Sequence, residues 1–329
     1  MLRSILSSVA LFSLCWLALP AHAVQRVFVS AISGNDANTA TGCAASAPCR
    51  WFAGAITAVD ANGEIVAMDS GAYGAVTITK SVSIISAPGV YAGMTVFSGN
   101  GVTIATPGVK VVLRGLAING MGGTNGISMT DGDSLTVDRC VISNFSTRGL
   151  YVSTAATVAV LDSLMTKNDY GAYFTGGATA TVSRSRFLGN AYTGLRAFQA
   201  SAGTTTVSVS QSEASGNSHT GFDAYTGAGT ARLDIRDSVA SGNVAVGFYA
   251  LSAGGTSQMS VSASLASGNT WGLSSSGSGA TLTAGGNTVT RNDYGLHQSS
   301  SGVFESTGDN IVRGNTTATS GTINAVSKL

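Results

Sequence analysis

The chain has 329 residues, 43 of them Gly and only 4 Pro; charged residues make up 10% and the formal net charge is +1. A charge this low and balanced argues against a nucleic-acid footprint or a polybasic membrane patch, which need clustered Lys and Arg. The abundance of Gly, Ser, Thr, Ala and Val leaves little helix-forming surface and points to a β-rich chain dense in turns.

Residues 1–23 have the layout of an export leader. Arg3 supplies the positive start, residues 5–19 form an apolar run too short for a membrane span, and Ala21-His22-Ala23 is a small-residue cleavage site. Cys15 lies inside the apolar run and is not read as a lipid anchor. The mature chain is expected to start at Val24 and to be exported, periplasmic or extracellular. Without Arg3 it carries 16 basic and 16 acidic residues. No later stretch is long and apolar enough to span a bilayer.

Cys43 and Cys49 lie six apart in a Gly/Ala/Ser/Pro loop, and in an oxidising compartment a local disulfide is expected. No His or second Cys pair accompanies them, so no metal site is read there. Cys140 is left over, with the expected role of a small half-buried thiol. Residues 27–30 read as a first strand and Gly34-Asn35-Asp36 as a turn. Ser46-Ala47-Pro48 then resembles a helix start, leading into Trp51, Phe52, Ala55, Ile56 and Val59 at helical spacing. One amphipathic helix ahead of the repeats fits a cap over an open sheet edge. Short strands follow at 64–68, 76–78 and 82–85.

From there a phrase recurs: an Asn, a few residues, then Gly and an apolar/any/apolar run. Examples are NFSTRGLYV from Asn144, NAYTGLRA from Asn190, NSHTGFDA from Asn217 and NVAVGFYA from Asn243. The Asn positions are 119, 144, 168, 190, 217, 243, 269, 292 and 315. A period of this kind marks units that cannot bury an apolar face alone and must stack. Apolar residues ten and eight before each Asn, and Ser or Asn five before it, divide each unit into three short strands. The expected fold is all-β, a parallel coil of about ten to eleven rungs spaced by about 4.8 Å. The in-register Asn and Ser are expected to form inward hydrogen-bonded ladders.

The N…G-φ-x-φ phrase, over residues 82–323, resembles the right-handed parallel β-helix repeat of the pectin-lyase-like superfamily. The Cys-x5-Cys loop, the PCRWFAGAI helix and the DSGAYG turn resemble the N-terminal cap of exported bacterial members. The resemblance implies a leader at 1–23, a cap with first strands at 24–81, and a right-handed parallel β-helix at 82–329. It does not fix activity, since the superfamily includes lyases, hydrolases, epimerases and proteins with none assigned. The Asp, His-Gly and Arg-x-Lys set of polygalacturonase-type hydrolases has no match here. Lyase-type sites need several Asp around Ca2+, and the nearest approach is Asp138 with Asp162, six before Asn144 and Asn168 and so expected in one column. The next members of that column, Arg184 and Gln211, add no carboxylate. No cofactor is expected, Ca2+ entering only if the chain is a lyase, and no metal ligands are assigned.

Outward positions after the Gly form two columns. The first holds Ser128, Tyr151, Tyr173, Arg196, Asp223, Tyr249, Ser274 and His297; the second holds Ser153, Thr175, Phe198, Tyr225, Leu251 and Ser276. Tyr151, Tyr173, Arg196, Phe198, Asp223, Tyr225 and Tyr249 thus form a candidate strip for a polysaccharide or other extended polymer. The bland alternative is aromatic stacking that stabilises the sheet. Arg196 and Asp223, and Arg186 and Glu213, are expected neighbours. Were the chain an enzyme, Arg196, Asp223, Asp138 and Asp162 would be the residues to carry it. His219 and His297 have no triad partners in the sequence and read as surface residues. Three functions stay open: a polysaccharide-binding protein, a structural or surface-interaction rod, and a polysaccharide lyase or hydrolase. Oligomeric state is not encoded in any pattern here.

Overall fold

A computed structural model describes residues 24–327; the expected leader lies outside the described residues. The described chain is a parallel β-solenoid of three sheets. The first contains thirteen strands running from Arg26–Val29 to Ile323–Ala325. The second and third contain eleven each, from Gly71–Ala72 to Ile311–Val312 and from Val76–Ile78 to Thr317–Ser320. Between the ends of the stack each coil contributes one strand to each sheet, so a strand there pairs with its counterparts one coil before and one coil after.

The corners explain why the repeat looks as it does. After each strand of the first sheet, one residue takes the left-handed conformation: Arg139, Asp162, Arg184, Gln211, Asp237 and Ala263 have φ between 47° and 51°. The next residue points inward and bonds to the coil above. Its column is Cys140, Ser163, Ser185, Ser212, Ser238, Ser264, Asn287 and Asn310, and each Oγ or Oδ1 from Ser163 onward accepts the backbone N–H of its predecessor. Cys140 is therefore not a half-buried thiol. It heads this column, is 1% exposed, and burial pushes its thiol up to about 12.

The second corner repeats the device with an Asn. Asn168, Asn190, Asn217, Asn243, Asn269, Asn292 and Asn315 form a continuous ladder in which each Oδ1 accepts from the backbone N–H and Nδ2 of the preceding Asn. Asn119 and Asn144 do not belong to it. Phe145 donates its N–H to Asn168 Oδ1 and so occupies the ladder position. Asn144, with φ of 64°, is the left-handed residue one place earlier, where Lys167, Gly189 and Gly216 stand in later coils. Asn119 lies within a second-sheet strand opposite Ser143.

Inward side chains are aliphatic or aromatic and stack coil upon coil. Leu195, Phe222, Phe248 and Leu273 are register partners, and the rings of Phe222 and Phe248 stack with centroids 5.5 Å apart.

The helix ahead of the repeats spans Phe52–Ala58 and buries Phe52, Ala55 and Ile56. It starts later than Ser46-Ala47-Pro48 suggests, because those residues belong to the loop closed by the Cys43–Cys49 disulfide, which is formed. Just ahead of the helix, Asp36 Oδ1 accepts the N–H groups of Arg50 and Trp51 at 2.8 and 3.1 Å. No helix among the described residues is long and apolar enough to cross a membrane.

Candidate functional site

The third sheet holds the strip in the expected register. Ser128, Tyr151, Tyr173, Arg196, Asp223, Tyr249, Ser274 and His297 are successive partners, as are Phe198, Tyr225, Leu251 and Ser276. Alternation along each strand turns these residues away from the core. Ring contacts then link one coil to the next: Tyr151 to Tyr173 at 5.9 Å, Tyr173 to Phe198 at 5.8 Å and Phe198 to Tyr225 at 5.2 Å.

A third column widens the strip. It lies immediately before the Gly and holds Arg148, Tyr170, Thr193, Thr220, Val246, Trp271 and Tyr294. Sequence reading passed over it because residues beside Gly look like turn residues and, three places before the first outward column, have the opposite parity on a regular strand. Tyr170 meets Tyr173 and Tyr192 edgewise or tilted at 5.2 Å each, and Tyr192 stacks on His219 at 4.5 Å. The Arg148 guanidinium lies 4.3 Å from the Tyr151 ring centre and 4.6 Å from that of Tyr173, within cation–π range. Its Nε is buried without a hydrogen-bond partner among the described residues.

Arg196 and Asp223 do not stand in solvent. The rings around them reduce Arg196 to 8% and Asp223 to 1% exposure. Arg196 Nε donates to Asp223 Oδ2 at 2.7 Å, and the rings of Tyr170, Tyr192 and Tyr225 surround the guanidinium at 5.1 to 5.4 Å. Asp223 Oδ1 has no hydrogen-bond partner among the described residues. Burial raises the Asp223 carboxyl above its usual range, against the pull of Arg196. Burial also pushes the Tyr173 phenol up to about 12.

Beyond Asp223 the strip opens into a cleft of about 260 Å³ lined by His219, Tyr249, Trp271, Ser274, His297 and Ser299. His219 and His297, expected as unrelated surface residues, therefore share one cleft. His219 Nδ1 lies 2.8 Å from Thr220 Oγ1 and His297 Nδ1 2.9 Å from Ser274 Oγ. Burial lowers both imidazoles below their ordinary value.

The expected carboxylate column does not form. Asp138 is the register partner of Leu161, one residue before the corner that holds Arg139, Asp162, Arg184 and Gln211. The displacement follows from Asn144, which marks the turn residue in its coil rather than the ladder. Asp138 Oδ2 accepts from Arg114 Nε at 2.7 Å, and Arg184 pairs with Asp162 at 2.8 Å. Both carboxylates are thus neutralised apart from one another, and among the described residues no group of three His, Cys, Asp or Glu could hold a metal ion. Arg186 and Glu213 pair as expected, at 2.9 Å.

A three-sheet parallel solenoid with inward Asn and Ser ladders is the architecture of a β-helix protein. The model of the right-handed β-helix region matches residues 100–266, and the chain belongs to that family. No curated protein matches the chain. Among solved structures it is similar to that of pectate lyase Pel9A, with a TM-score of 0.62 and 16% identity, over 92% of this chain and 78% of that one. At that identity the likeness is one of fold.

Proposed function

We propose that this chain binds an extended extracellular polysaccharide along the outer face of the third sheet. The observation that carries the reading is a ring or guanidinium on every coil from Arg148 and Tyr151 through Tyr173, Arg196, Tyr225 and Tyr249 to Trp271 and Tyr294. At about 4.8 Å per coil the run spans about 29 Å, a length suited to a polymer rather than a single small molecule. Amphipathic rings offer apolar faces to sugar rings and polar edges to their hydroxyls. Trp271, Tyr225 and Tyr249 keep partial exposure, as a contact surface requires. The chain's β-helix fold gives a rigid support for such a surface. The pairing of Asp138 and Asp162 with Arg side chains supports binding over polymer cleavage.

The test is retention of the protein on neutral and acidic polysaccharides in affinity electrophoresis. Tyr225→Ala and Trp271→Ala are expected to weaken retention by roughly 3- to 10-fold each, on the scale of one aromatic contact. Unchanged retention in both variants, or none on any polymer by the unaltered protein, would leave a structural rod as the better account. That second reading draws on Tyr173, which is only 8% exposed among its neighbours and so serves sheet packing as well.

A further inference from the structure

We propose that the outer face of the first sheet carries a second binding site, for a phosphate ester of a polyol. The strand Thr230–Arg236 turns Arg232, Asp234 and Arg236 outward, all exposed. The two strands on either side, Thr204–Ser210 and Thr256–Ser262, place only Thr, Ser and Gln at the matching positions. The result is an island of charge in a field of hydroxyls.

Elsewhere, acidic and basic residues that meet on neighbouring coils pair, as in Arg114–Asp138, Arg184–Asp162, Arg186–Glu213 and Arg196–Asp223. On this island the three charges share one strand, and the neighbouring coils set no opposite charge beside them. Arg232 is turned aside by a 2.8 Å bond to Gln258 Oε1. Among the described residues, the side chains of Asp234 and Arg236, and those of Ser208, Ser210, Ser260 and Ser262, have no partner. A groove of about 460 Å³ lies over these six residues, and a neighbouring cleft of about 220 Å³ shares Asp234 and Ser260.

The register sorts the six into two rows. Ser210, Arg236 and Ser262 form one, and Ser208, Asp234 and Ser260 the other. In the first row a guanidinium stands between two hydroxyls about 4.8 Å to either side. Three donor groups in line suit an anion with three free or bridging oxygens better than a planar carboxylate with two, and Arg presents a fork matched to phosphate. In the second row a carboxylate between two hydroxyls repels an anion and accepts hydrogen bonds from alcohols. The rows lie about 6.6 Å apart along the strand, so one small molecule can engage both. A ligand that satisfies the groove carries its phosphate at Arg236 and free hydroxyls at Asp234.

Isothermal titration of the full mature chain tests this with inorganic phosphate, glycerol, glycerol 3-phosphate and glycerophosphoglycerol. Glycerol 3-phosphate stands for a free monoester and glycerophosphoglycerol for the link of a polyol phosphate polymer; the tighter of the two identifies the source. Both are expected to bind more tightly than inorganic phosphate, and glycerol not measurably. Arg236→Gln is expected to lose at least 10-fold for every phosphate probe. Asp234→Asn is expected to keep inorganic phosphate and lose the lead of the esters. Tyr225→Ala, on the other face, is expected to bind as the unaltered chain does. The side chains of Asp234 and Arg236 have no partners among the described residues, so unchanged thermal melting accompanies the results of their two variants. Esters that bind no better than inorganic phosphate, full binding by Arg236→Gln, or no saturable binding by the unaltered chain would each overturn the proposal.

Discussion

Asp223 illustrates how an outward position on a sheet becomes an interior one. Its parity directs it away from the core, yet large rings on the adjacent coils close over it and leave Arg196 as its one side-chain hydrogen-bond partner among the described residues. Removing one member of such a pair strands the other as a buried charge, at a cost of about 3 to 5 kcal/mol. Asp223→Ala is expected to lower the urea midpoint accordingly, whereas Arg196→Met combined with Asp223→Leu is expected to lie nearer the unaltered protein. Equal losses in the single and double variants would show that the charges contribute through packing alone. At the other end of the chain, Asp69 accepts from Ser30 Oγ, Tyr73 Oη and the Ala31 N–H at 2.5 to 2.7 Å. Burial works to raise its carboxyl, but these bonds prevail and hold it below the ordinary range of an Asp. A carboxyl lowered on folding contributes stability above its unfolded pKa and loses it as the pH falls through the folded one. The stability difference between the unaltered chain and Asp69→Asn is therefore expected at neutral pH and to shrink on acidification below about 3.8, as measured by denaturant titrations at several pH values. A difference independent of pH would refute this.

Each coil is held to the next by a corner. Asn217 Oδ1 accepts from the Asn190 N–H and Nδ2 at 3.0 and 2.9 Å, while its own Nδ2 donates to Phe187 O and Asn243 Oδ1. Asn217→Ala leaves buried donors and acceptors unpaired, each costing about 1 to 3 kcal/mol. A loss of roughly 3 kcal/mol is expected, with faster hydrogen exchange at the Asn190 amide; an unprotected Asn190 amide in the unaltered chain would contradict the ladder. The ladder from Asn168 onward was legible because its period, its Gly partner and its apolar neighbours all agreed. Its beginning was not. Asn is also the non-Gly residue that best tolerates a left-handed conformation, so Asn144 at the turn looks in sequence like a ladder member. That single ambiguity moved Asp138 into the column of Asp162. Columns read from parity, such as Tyr151 to His297, were unaffected, since period-two alternation does not depend on where the corner falls. Arg148, Tyr170, Trp271 and Tyr294 were missed for the same reason that Asn144 misled: corners, not strands, are where sequence is ambiguous.

At the scale of the molecule the solenoid is a stack of nearly interchangeable coils, each in contact chiefly with its two neighbours. Asn217 to Asn243 and Asn243 to Asn269 are both separated by 26 residues, so deleting residues 243–268 joins Gly242 to Asn269 at an equivalent corner. The deletion keeps the Arg196–Asp223 pair and brings Phe222 over Leu273, two residues already in one inward column. It removes Tyr249 and with it one step of the strip. The shortened chain is expected to fold with an unchanged β spectrum and a length reduced by about 4.8 Å, measured by circular dichroism and small-angle scattering. Because the strip shortens as the stack does, affinity for a long polymer is expected to fall while the phosphate-ester groove at Asp234 and Arg236 also loses Ser260 and Ser262. Deleting instead residues 145–167, a coil ahead of the groove that carries only the first step of the strip, Arg148 and Tyr151, joins Asn144 to Asn168 at the second corner and spares the groove entirely. A stack of independent coils requires the two deletions to fold alike yet differ in glycerol 3-phosphate binding, and a chain that unfolds in both cases would show that the coils act as one cooperative unit.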